Sequence, residues 1–270
     1  MQLIYKNKFI PWLLCFLLFA QGVGLYHIAT VFAGNASTSA GVNNKAPVIT
    51  GNVAESPASY SASPTLVGAN VTFIANSTDQ NHDPYYLAVC TTAAVTAHAN
   101  AAPTCDVGTW KVSAETAYGS QATAAYTVLQ TDASSNNWYA YVCDKNANSL
   151  CSAVNSGTGD SGSPFYVNHA PTFTAFTDDS GAGVAPGTTV TWNSTSTDSD
   201  GDNVTLYVCK GAGFTGGNTC TGGEWCHSAP SASDPTCNFA MASILQDKNY
   251  EAYGYIVDAR GVLSTDVKQG

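Results

Sequence analysis

The residues best suited to chemistry are two short runs of alternating oxygen-bearing side chains, one in each half of the sequence. They are Asp79, Asn81 and Asp83, and Asp198, Asp200 and Asp202. Such runs resemble the first positions of calcium loops, but calcium needs six to eight oxygen ligands and no glutamate follows at the EF-hand spacing. Each run also suits a hairpin turn, with Asp200-Gly201 as a pair of positive φ. We predict turns, and treat weak calcium binding at the second run, with Asp258 or another distant carboxylate, as a hypothesis.

The cysteines are the second group with chemical potential. The chain has nine, and four follow Cys15 in each half; even numbers in an exported chain imply disulfides. Cys105 lies five residues before Trp110. Cys220 lies five residues before Trp225, so one pair in each half is equivalent, and the leftover cysteines of each half are most simply partners. The predicted bridges are Cys90–Cys105, Cys143–Cys151, Cys209–Cys220 and Cys226–Cys237. The alternative, a zinc thiolate site, lacks the usual two tight Cys-x2–4-Cys pairs.

Charge and composition argue against nucleic-acid binding and catalysis. The net charge is -10 and only 10% of residues are charged, so the chain lacks the basic face that binds phosphates. None of its five histidines lies in a recognisable nucleophile or metal motif. Gly159-Asp-Ser-Gly162 resembles a serine-protease nucleophile segment, but catalysis would also require a base and an orienting group elsewhere. We predict that the chain is not an enzyme and does not bind nucleic acid.

Sequons for N-glycosylation mark polar positions that we expect to be exposed. They begin at Asn35, Asn70, Asn76, Asn193 and Asn203. Chance accounts for most of them in a chain so rich in Ser, Thr and Asn. Glycosylation at these sites is therefore only a candidate modification.

The elements that position these groups form an internal repeat. Residues 68–90 align without a gap onto residues 187–209, and ten of the 23 positions are identical. Apolar residues two apart, as in residues 71–75 and 190–194, predict strands separated by Gly, Pro, Asn and Asp turns. Short strands in two units of roughly 100 residues predict an all-β fold of two tandem antiparallel sandwiches.

The repeat resembles bacterial extracellular Ig-like modules, related in pattern to cadherin-like and polycystic-kidney-disease domains. The residues that carry the resemblance are the openings Ala46-Pro47 and Ala170-Pro171, the segments Gly187–Trp192 and Asp198–Asp202, and residues 249–258 with Gly261. The resemblance implies Ig-like sandwiches at the cell surface or outside the cell, and it names no ligand.

The first residues predict export. Lys6 and Lys8 precede an apolar stretch, and Val31-Phe32-Ala33 resembles a small-residue cleavage site, so residues 1–33 are predicted to be a signal peptide or a retained membrane anchor. The further predicted boundaries are a linker over residues 34–45, a first Ig-like domain over 46–169 and a second over 170–270. Contact with a membrane is expected only through the N-terminal segment.

The second copy is predicted to lack its last strand. In the first copy, residues 163–168 form a plausible final strand, whereas only twelve residues follow Asp258. Truncation is the preferred explanation, and donation of a strand by another chain is the alternative. The leading functional hypothesis is a structural or adhesive spacer with an unknown protein or glycan ligand. The alternatives are a self-assembling fibre or pilus-like subunit and an accessory carbohydrate-binding module of a secreted enzyme.

Overall fold

The chain folds into two successive β-sandwiches. The structure is a computed structural model that describes residues 43–242 and 248–270, so the predicted N-terminal signal or anchor lies outside the described residues. Module 1 denotes residues 46–169 and module 2 denotes residues 170–270. Residues 43–270 cluster as one compact unit, and the boundary between the modules therefore stays a prediction.

Module 1 begins at the Ala-Pro opening and ends in the predicted final strand. Its strands are β1 (Val48–Ile49), β2 (Ala54–Glu55), β3 (Thr65–Leu66), β4 (Asn70–Ala75), β5 (Ser77–Thr78), β6 (Tyr85–Cys90), β7 (Val95–His98), β8 (Ala101–Cys105), β9 (Thr109–Val112), β10 (Ala122–Thr127), β11 (Ser135–Asn136), β12 (Tyr139–Asp144) and β13 (Phe165–Asn168). A single 3-10 turn covers Gly159–Ser161. The described residues contain no helix long and apolar enough to span a bilayer.

Module 2 repeats the central strands of module 1. Its strands are β14 (Thr172–Asp178), β15 (Thr189–Thr197), β16 (Val204–Cys209), β17 (Phe214–Thr215), β18 (Thr219–Cys220), β19 (Glu224–His227), β20 (Thr236–Ala240), β21 (Tyr253–Asp258) and β22 (Lys268–Gln269). The predicted strands over residues 71–75 and 190–194 are present as β4 and β15.

Each module is built from two main sheets. In module 1 these have the strand orders β10-β4-β2 and β12-β6-β9, and in module 2 the orders β14-β15-β20 and β19-β16-β21-β22. Almost all pairings are antiparallel, and the exception is β13, which runs parallel to β3. The topology confirms the predicted fold class of tandem Ig-like sandwiches.

The alternation of side chains along a strand explains which of its residues are buried and which face water. In β4, Val71, Phe73 and Ala75 are buried while the residues between them are not, because successive side chains point to opposite faces of a sheet. The module 1 core collects inward residues from both main sheets, and module 2 has its own core. Two paired strands of the second sheet of module 1, the central β6 and its neighbour β12, are buried on both faces.

The outer face of those two strands is covered by cysteines and short hairpins. A satellite cluster joins Cys90 and Cys143 to Cys105, Cys151 and Val95 of the neighbouring loops. Module 2 has a matching cluster that includes Cys209 and Cys220. The disulfides therefore fasten loops over a strand pair that would otherwise expose an apolar face.

All four bridges form with the predicted partners. They are Cys90–Cys105, Cys143–Cys151, Cys209–Cys220 and Cys226–Cys237. The last differs from the others in its position, because Cys226 lies in β19 and Cys237 lies in β20, which belong to different main sheets. It ties the two layers of module 2 together.

Candidate metal centre

The acidic run of module 1 forms a tight turn just after β5. The backbone N–H of Asn81 donates to Asp79 Oδ1 over 2.6 Å, and the N–H of His82 donates to the Asp79 carbonyl over 3.2 Å. His82 has a φ of +62°. This turn uses one oxygen of the Asp79 carboxylate and leaves Oδ2 pointing elsewhere.

Three carboxylates converge beside this turn. Asp79, Asp83 and Asp144 each place one oxygen within 4.8 Å of the others. Asp144 ends β12 and is fully buried, and its Oδ1 accepts from the N–H of Leu150 over 2.9 Å. The amide of Asn44 joins them, since its Nδ2 donates to Asp144 Oδ2 over 2.8 Å. We call Asn44, Asp79, Asp83 and Asp144 the first acidic site.

Module 2 has an equivalent arrangement. The Nδ2 of Asn168 donates to Asp258 Oδ2 over 2.8 Å, and the N–H of Asp200 donates to Asp198 Oδ1 over 2.8 Å. These bonds repeat those of Asn44 and Asn81 in module 1. We call Asn168, Asp198, Asp202 and Asp258 the second acidic site.

The same two oxygens lack a hydrogen-bond partner in both sites. They are Oδ1 of Asn44 and Oδ2 of Asp79 in the first site, and Oδ1 of Asn168 and Oδ2 of Asp198 in the second, all buried at the atomic level. Buried polar atoms in folded proteins are nearly always paired, so each exception requires an explanation. Oxygens without a partner at equivalent positions of both copies are suited to bind a cation or to accept from a hydrogen-bond donor.

The electrostatics of the first site point the same way. Burial raises the pKa of Asp144, and the charge of Asp79 raises it further. None of the ion pairs formed within the described residues involves Asp79, Asp83 or Asp144. Gathering carboxylates without a counter-charge is unfavourable unless a cation joins them or one of them takes up a proton.

The second site carries a protein cation where the first does not. Arg260 Nε lies 3.4 Å from Asp202 Oδ2, whereas in module 1 the neutral Asn146 Nδ2 donates to Asp83 Oδ2 over 2.8 Å. The triad of mutually close carboxylates is found in the described residues only in the first site. The hypothesis that the second run is the calcium loop is therefore less favoured by the geometry than binding at the first.

The middle residue of each run faces the linker instead of the acidic site. Asp200 accepts from the backbone N–H of His169 and from its Nδ1, and also from the hydroxyl of Ser134. Burial opposes ionisation of Asp200, but these hydrogen bonds outweigh it and lower its pKa. In module 1 the side-chain oxygen of Asn81 accepts from the N–H of Lys45 over 2.9 Å. The two residues fix the start of each module and are not oriented as ligands.

Ser134, His169 and Asp200 are the residue types of a serine-hydrolase triad, but their hydrogen bonds do not form one. The hydroxyl of Ser134 donates to Asp200, not to the imidazole of His169. A serine nucleophile needs its own hydrogen bond to the base.

The predicted turns are present, with one correction to their geometry. Gly201 has a φ of +79°, but Asp200 is not among the residues of positive φ. The expected positive-φ pair is therefore wrong, because the side chain of Asp198 forms the turn through the N–H of Asp200 and leaves only Gly201 to reverse the chain.

The other predicted sites lie on the surface or in the core. Asn70, Asn76, Asn193 and Asn203 are exposed, and Asn35 lies outside the described residues. Trp138, Trp192 and Trp225 are buried, which removes them as a sugar-stacking platform. Glycosylation stays a prediction.

Sequence reasoning missed the two asparagines and the buried Asp144. Asn44 and Asn168 each lie two residues before an Ala-Pro opening, and Asp144 and Asp258 are equivalent in the repeat. Aligning the ends of the copies, as well as their centres, would have found all four.

The donor set fits a hard divalent cation. Its ligands are oxygens only, from carboxylates and an amide, which suit calcium or magnesium and not the softer transition metals. Asp79, Asp83 and Asp144 bring three carboxylate oxygens together, and Asn44, whose Nδ2 contacts Asp144, has an amide oxygen without a partner. Calcium would complete its coordination with further oxygens from water or backbone carbonyls.

Comparison with known proteins yields structures but no relatives in sequence. No family model matches the chain, and no curated protein matches it. Among solved structures, a two-Ig-domain structure of DIP-gamma is 9% identical with a TM-score of 0.33, covering 83% of this chain and 95% of that one. A marsupial T cell receptor is 10% identical with a TM-score of 0.40, covering 74% and 69%. Because these TM-scores are low, the fold assignment rests on the strand topology.

Proposed function

We propose that the chain is a non-enzymatic, exported surface protein whose tandem Ig-like modules act as a structural or adhesive spacer stiffened by calcium at the start of each module. The observation that most supports calcium binding is the pair of unpartnered oxygens repeated in the two acidic sites. Disulfides support export, because they persist in oxidising compartments. The resemblance to bacterial cadherin-like surface modules adds an expectation of display at the cell surface.

The contacts between the modules support a stiff spacer. The guanidinium of Arg260 donates to the carbonyls of Ser61 and Ala62 in module 1, and Ser134 donates to Asp200 of module 2. Asn168, the last residue of β13, donates to Asp258. A cation bound by Asn168 and Asp258 would add a bond across the same junction, so cation binding would restrict bending.

Calcium titration of the purified chain tests the metal part of this proposal. Extracellular calcium modules bind with Kd values of about 10⁻⁴ to 10⁻³ M, so 10 mM calcium should stabilise the native state by about 1.4 to 2.7 kcal/mol. We expect a rise in Tm that Asp79→Asn and Asp144→Asn each reduce, because they remove ligands of the first acidic site and leave the second intact. Asp160→Asn is the matched control, since it removes the same charge from an exposed site.

Separate measurements test the cation, the stiffening and the export of the chain. An unchanged Tm between chelator and 10 mM calcium, with no heat of binding by calorimetry, would eliminate the cation. Small-angle scattering with and without calcium tests the stiffening, and antibody labelling of intact cells tests export. Internal retention of the chain would contradict the surface assignment independently of the metal.

A further inference from the structure

The outer face of the second sheet of module 2 carries a row of aromatic side chains. On β16, Leu206 and Val208 point into the core, so Tyr207 between them points outward. Tyr207 pairs with His227 of β19 on one side and with Tyr255 of β21 on the other. Directly paired residues of neighbouring strands lie on the same face of a sheet. Three rings therefore lie side by side across three strands.

The hairpin of β17 and β18 adds a fourth ring. Phe214 stacks on Tyr255 with centroids 4.9 Å apart and an interplanar angle of 17°, and its centroid lies 5.2 Å from that of Tyr207. The Tyr255 hydroxyl accepts from the N–H of Gly213 over 2.8 Å, which fixes the hairpin. Tyr255 is buried, whereas Tyr207 and Phe214 are half-buried and His227 is exposed. We call Tyr207, Phe214 and His227, the rings that reach solvent, the aromatic patch.

Module 1 builds the same face from aliphatic residues. Its central strand β6 pairs with β9 and β12 in the register in which β16 pairs with β19 and β21. Its hairpin of β7 and β8 also corresponds in register to that of β17 and β18. The residues that stand in the places of Tyr207, His227 and Phe214 are Ala88, Val112 and Val95. The fold therefore forms without aromatic rings at these positions, so packing alone does not account for them in module 2.

Polar atoms open to water border the aromatic patch. His227 Nδ1 lies 2.8 Å from Glu224 Oε1. Within residues 43–242 and 248–270, no hydrogen bond involves the Tyr207 hydroxyl, His227 Nε2 or Glu224 Oε2. The Tyr207 hydroxyl is also not one of the buried atoms that lack a partner. A hydroxyl, an imidazole nitrogen and a carboxylate oxygen are thus available to donate or accept hydrogen bonds.

The size and charge of the aromatic patch restrict the kind of ligand. A stable protein–protein interface buries roughly 800 Å² on each partner, and three rings, two of them half-buried, do not supply that area. The chain carries a net charge of -10, and the carboxylate of Glu224 borders the patch, so an anionic ligand would be repelled. The suitable ligand is small and neutral, and it combines apolar faces with hydroxyl groups.

We propose that the aromatic patch binds a neutral saccharide, with the C–H face of a pyranose against Tyr207 and Phe214 and its hydroxyls bonded to Glu224 and His227. A pyranose with equatorial hydroxyls has apolar C–H faces and a polar rim, which matches rings bordered by hydrogen-bonding atoms. Ligand sites commonly combine aromatic side chains with a few polar groups that fix orientation. The inference gives the adhesive role a class of ligand, but it uses no residue of the acidic sites and does not depend on calcium binding.

Cellohexaose and chitohexaose, two neutral oligosaccharides of pyranoses with equatorial substituents, are the probes. We expect the full chain to bind at least one of them with a Kd of about 1 mM or tighter by calorimetry. The saccharide should shift the amide resonances of residues 205–209, 213–215 and 224–227. No saturable binding of either saccharide by the folded chain, or shifts confined to module 1, would overturn the proposal.

Variants that install the module 1 residue test the rings without a foreign side chain. Tyr207→Ala and Phe214→Val should each weaken binding about two- to tenfold, the loss expected for one aromatic contact. Tyr118→Ala, which removes an exposed tyrosine of module 1, is the control and should bind as the parent does. Tyr207→Phe keeps the ring and should bind more tightly than Tyr207→Ala. Equal binding by these two Tyr207 variants, or equal weakening by the Tyr118 control, would contradict ring stacking.

A second copy of the chain is the other occupant to be tested. Sedimentation velocity of the parent and of Tyr207→Ala measures self-association through this face. Monomers in both cases, together with saccharide binding, would support the proposal. Dimers that Tyr207→Ala dissociates and that no saccharide disrupts would assign the aromatic patch to self-association instead.

Discussion

Glu55 makes module 1 sensitive to pH in an unusual direction. Its side chain is 3% exposed, with Oε1 accepting from Trp138 Nε1 over 2.6 Å and Oε2 from the N–H of Ser59 over 2.8 Å. Burial raises its pKa from 4.5 to about 7, against the opposing effect of the two hydrogen bonds. The folded state therefore holds a proton that the unfolded state releases at a lower pH.

The magnitude follows from the two pKa values. Each pKa unit corresponds to about 1.4 kcal/mol, so the difference amounts to an upper limit of about 3 kcal/mol. Between pH 4.5 and 7 the native state binds more protons than the unfolded state, and the free energy of unfolding falls as the pH rises. Above pH 7 the stabilisation that protonated Glu55 gives to the folded state is fully lost.

Glu55→Gln tests this reasoning, because its amide stays neutral at every pH. The amide cannot accept from both Trp138 and Ser59, so the variant should be less stable than the parent at pH 4.5. The gap between them should close by up to about 3 kcal/mol by pH 8. Urea unfolding followed by tryptophan fluorescence at several pH values measures it, with the exposed Glu115→Gln as the control.

The carboxyl can also be observed directly. A carbon-detected titration of Glu55 in the folded chain should have its midpoint near pH 7. A midpoint below pH 5, or parallel stability curves for parent and variant, would refute the argument that burial dominates over the hydrogen bonds.

Three further changes probe other contacts. Replacing Cys226 and Cys237 together by serine should cost about 3 kcal/mol by loop entropy, read from unfolding of module 2. Arg260→Ala should tighten calcium binding at the second site two- to fivefold by calorimetry, because a competing positive charge is removed; unchanged affinity would contradict this. Gly157→Ala should destabilise more than Gly119→Ala by at least about 1 kcal/mol, since both have positive φ but only at Gly157 of these two would a Cβ meet other atoms, at 2.7 Å. Equal losses of Tm in the two variants would show that the loop around Gly157 shifts to accommodate the added Cβ.

The sequence predicted those features that depend on local spacing or on the repeat. Alternating apolar residues located β4 and β15, and comparison of the copies selected the disulfide partners. These inferences succeeded because strand periodicity and loop length are local properties of the chain.

The acidic sites were only half predicted, because their members meet through the fold. Asp79 and Asp144 are far apart in sequence, and they come together only when β5 and β12 end at the same edge of the sandwich. Nor did spacing show that Asp200 would turn toward His169. Which oxygen of a carboxylate remains unpaired is decided by backbone groups that the sequence does not reveal.

The two modules join their main sheets in different ways, one by side-chain packing and the other by a disulfide. In module 1, Phe165 of β13 contacts β4, β9 and β10, and so links both sheets through packing. In module 2, where no described strand does this, Cys226–Cys237 links the sheets covalently. If packing by Phe165 and the Cys226–Cys237 bridge serve the same purpose, removing either should destabilise its own module by a similar amount. Phe165→Ala should cost about 3 to 5 kcal/mol and the double serine replacement of Cys226 and Cys237 about 3 kcal/mol, both measured by urea unfolding. A loss below about 1 kcal/mol for either change would show that the group removed does not hold its two sheets together.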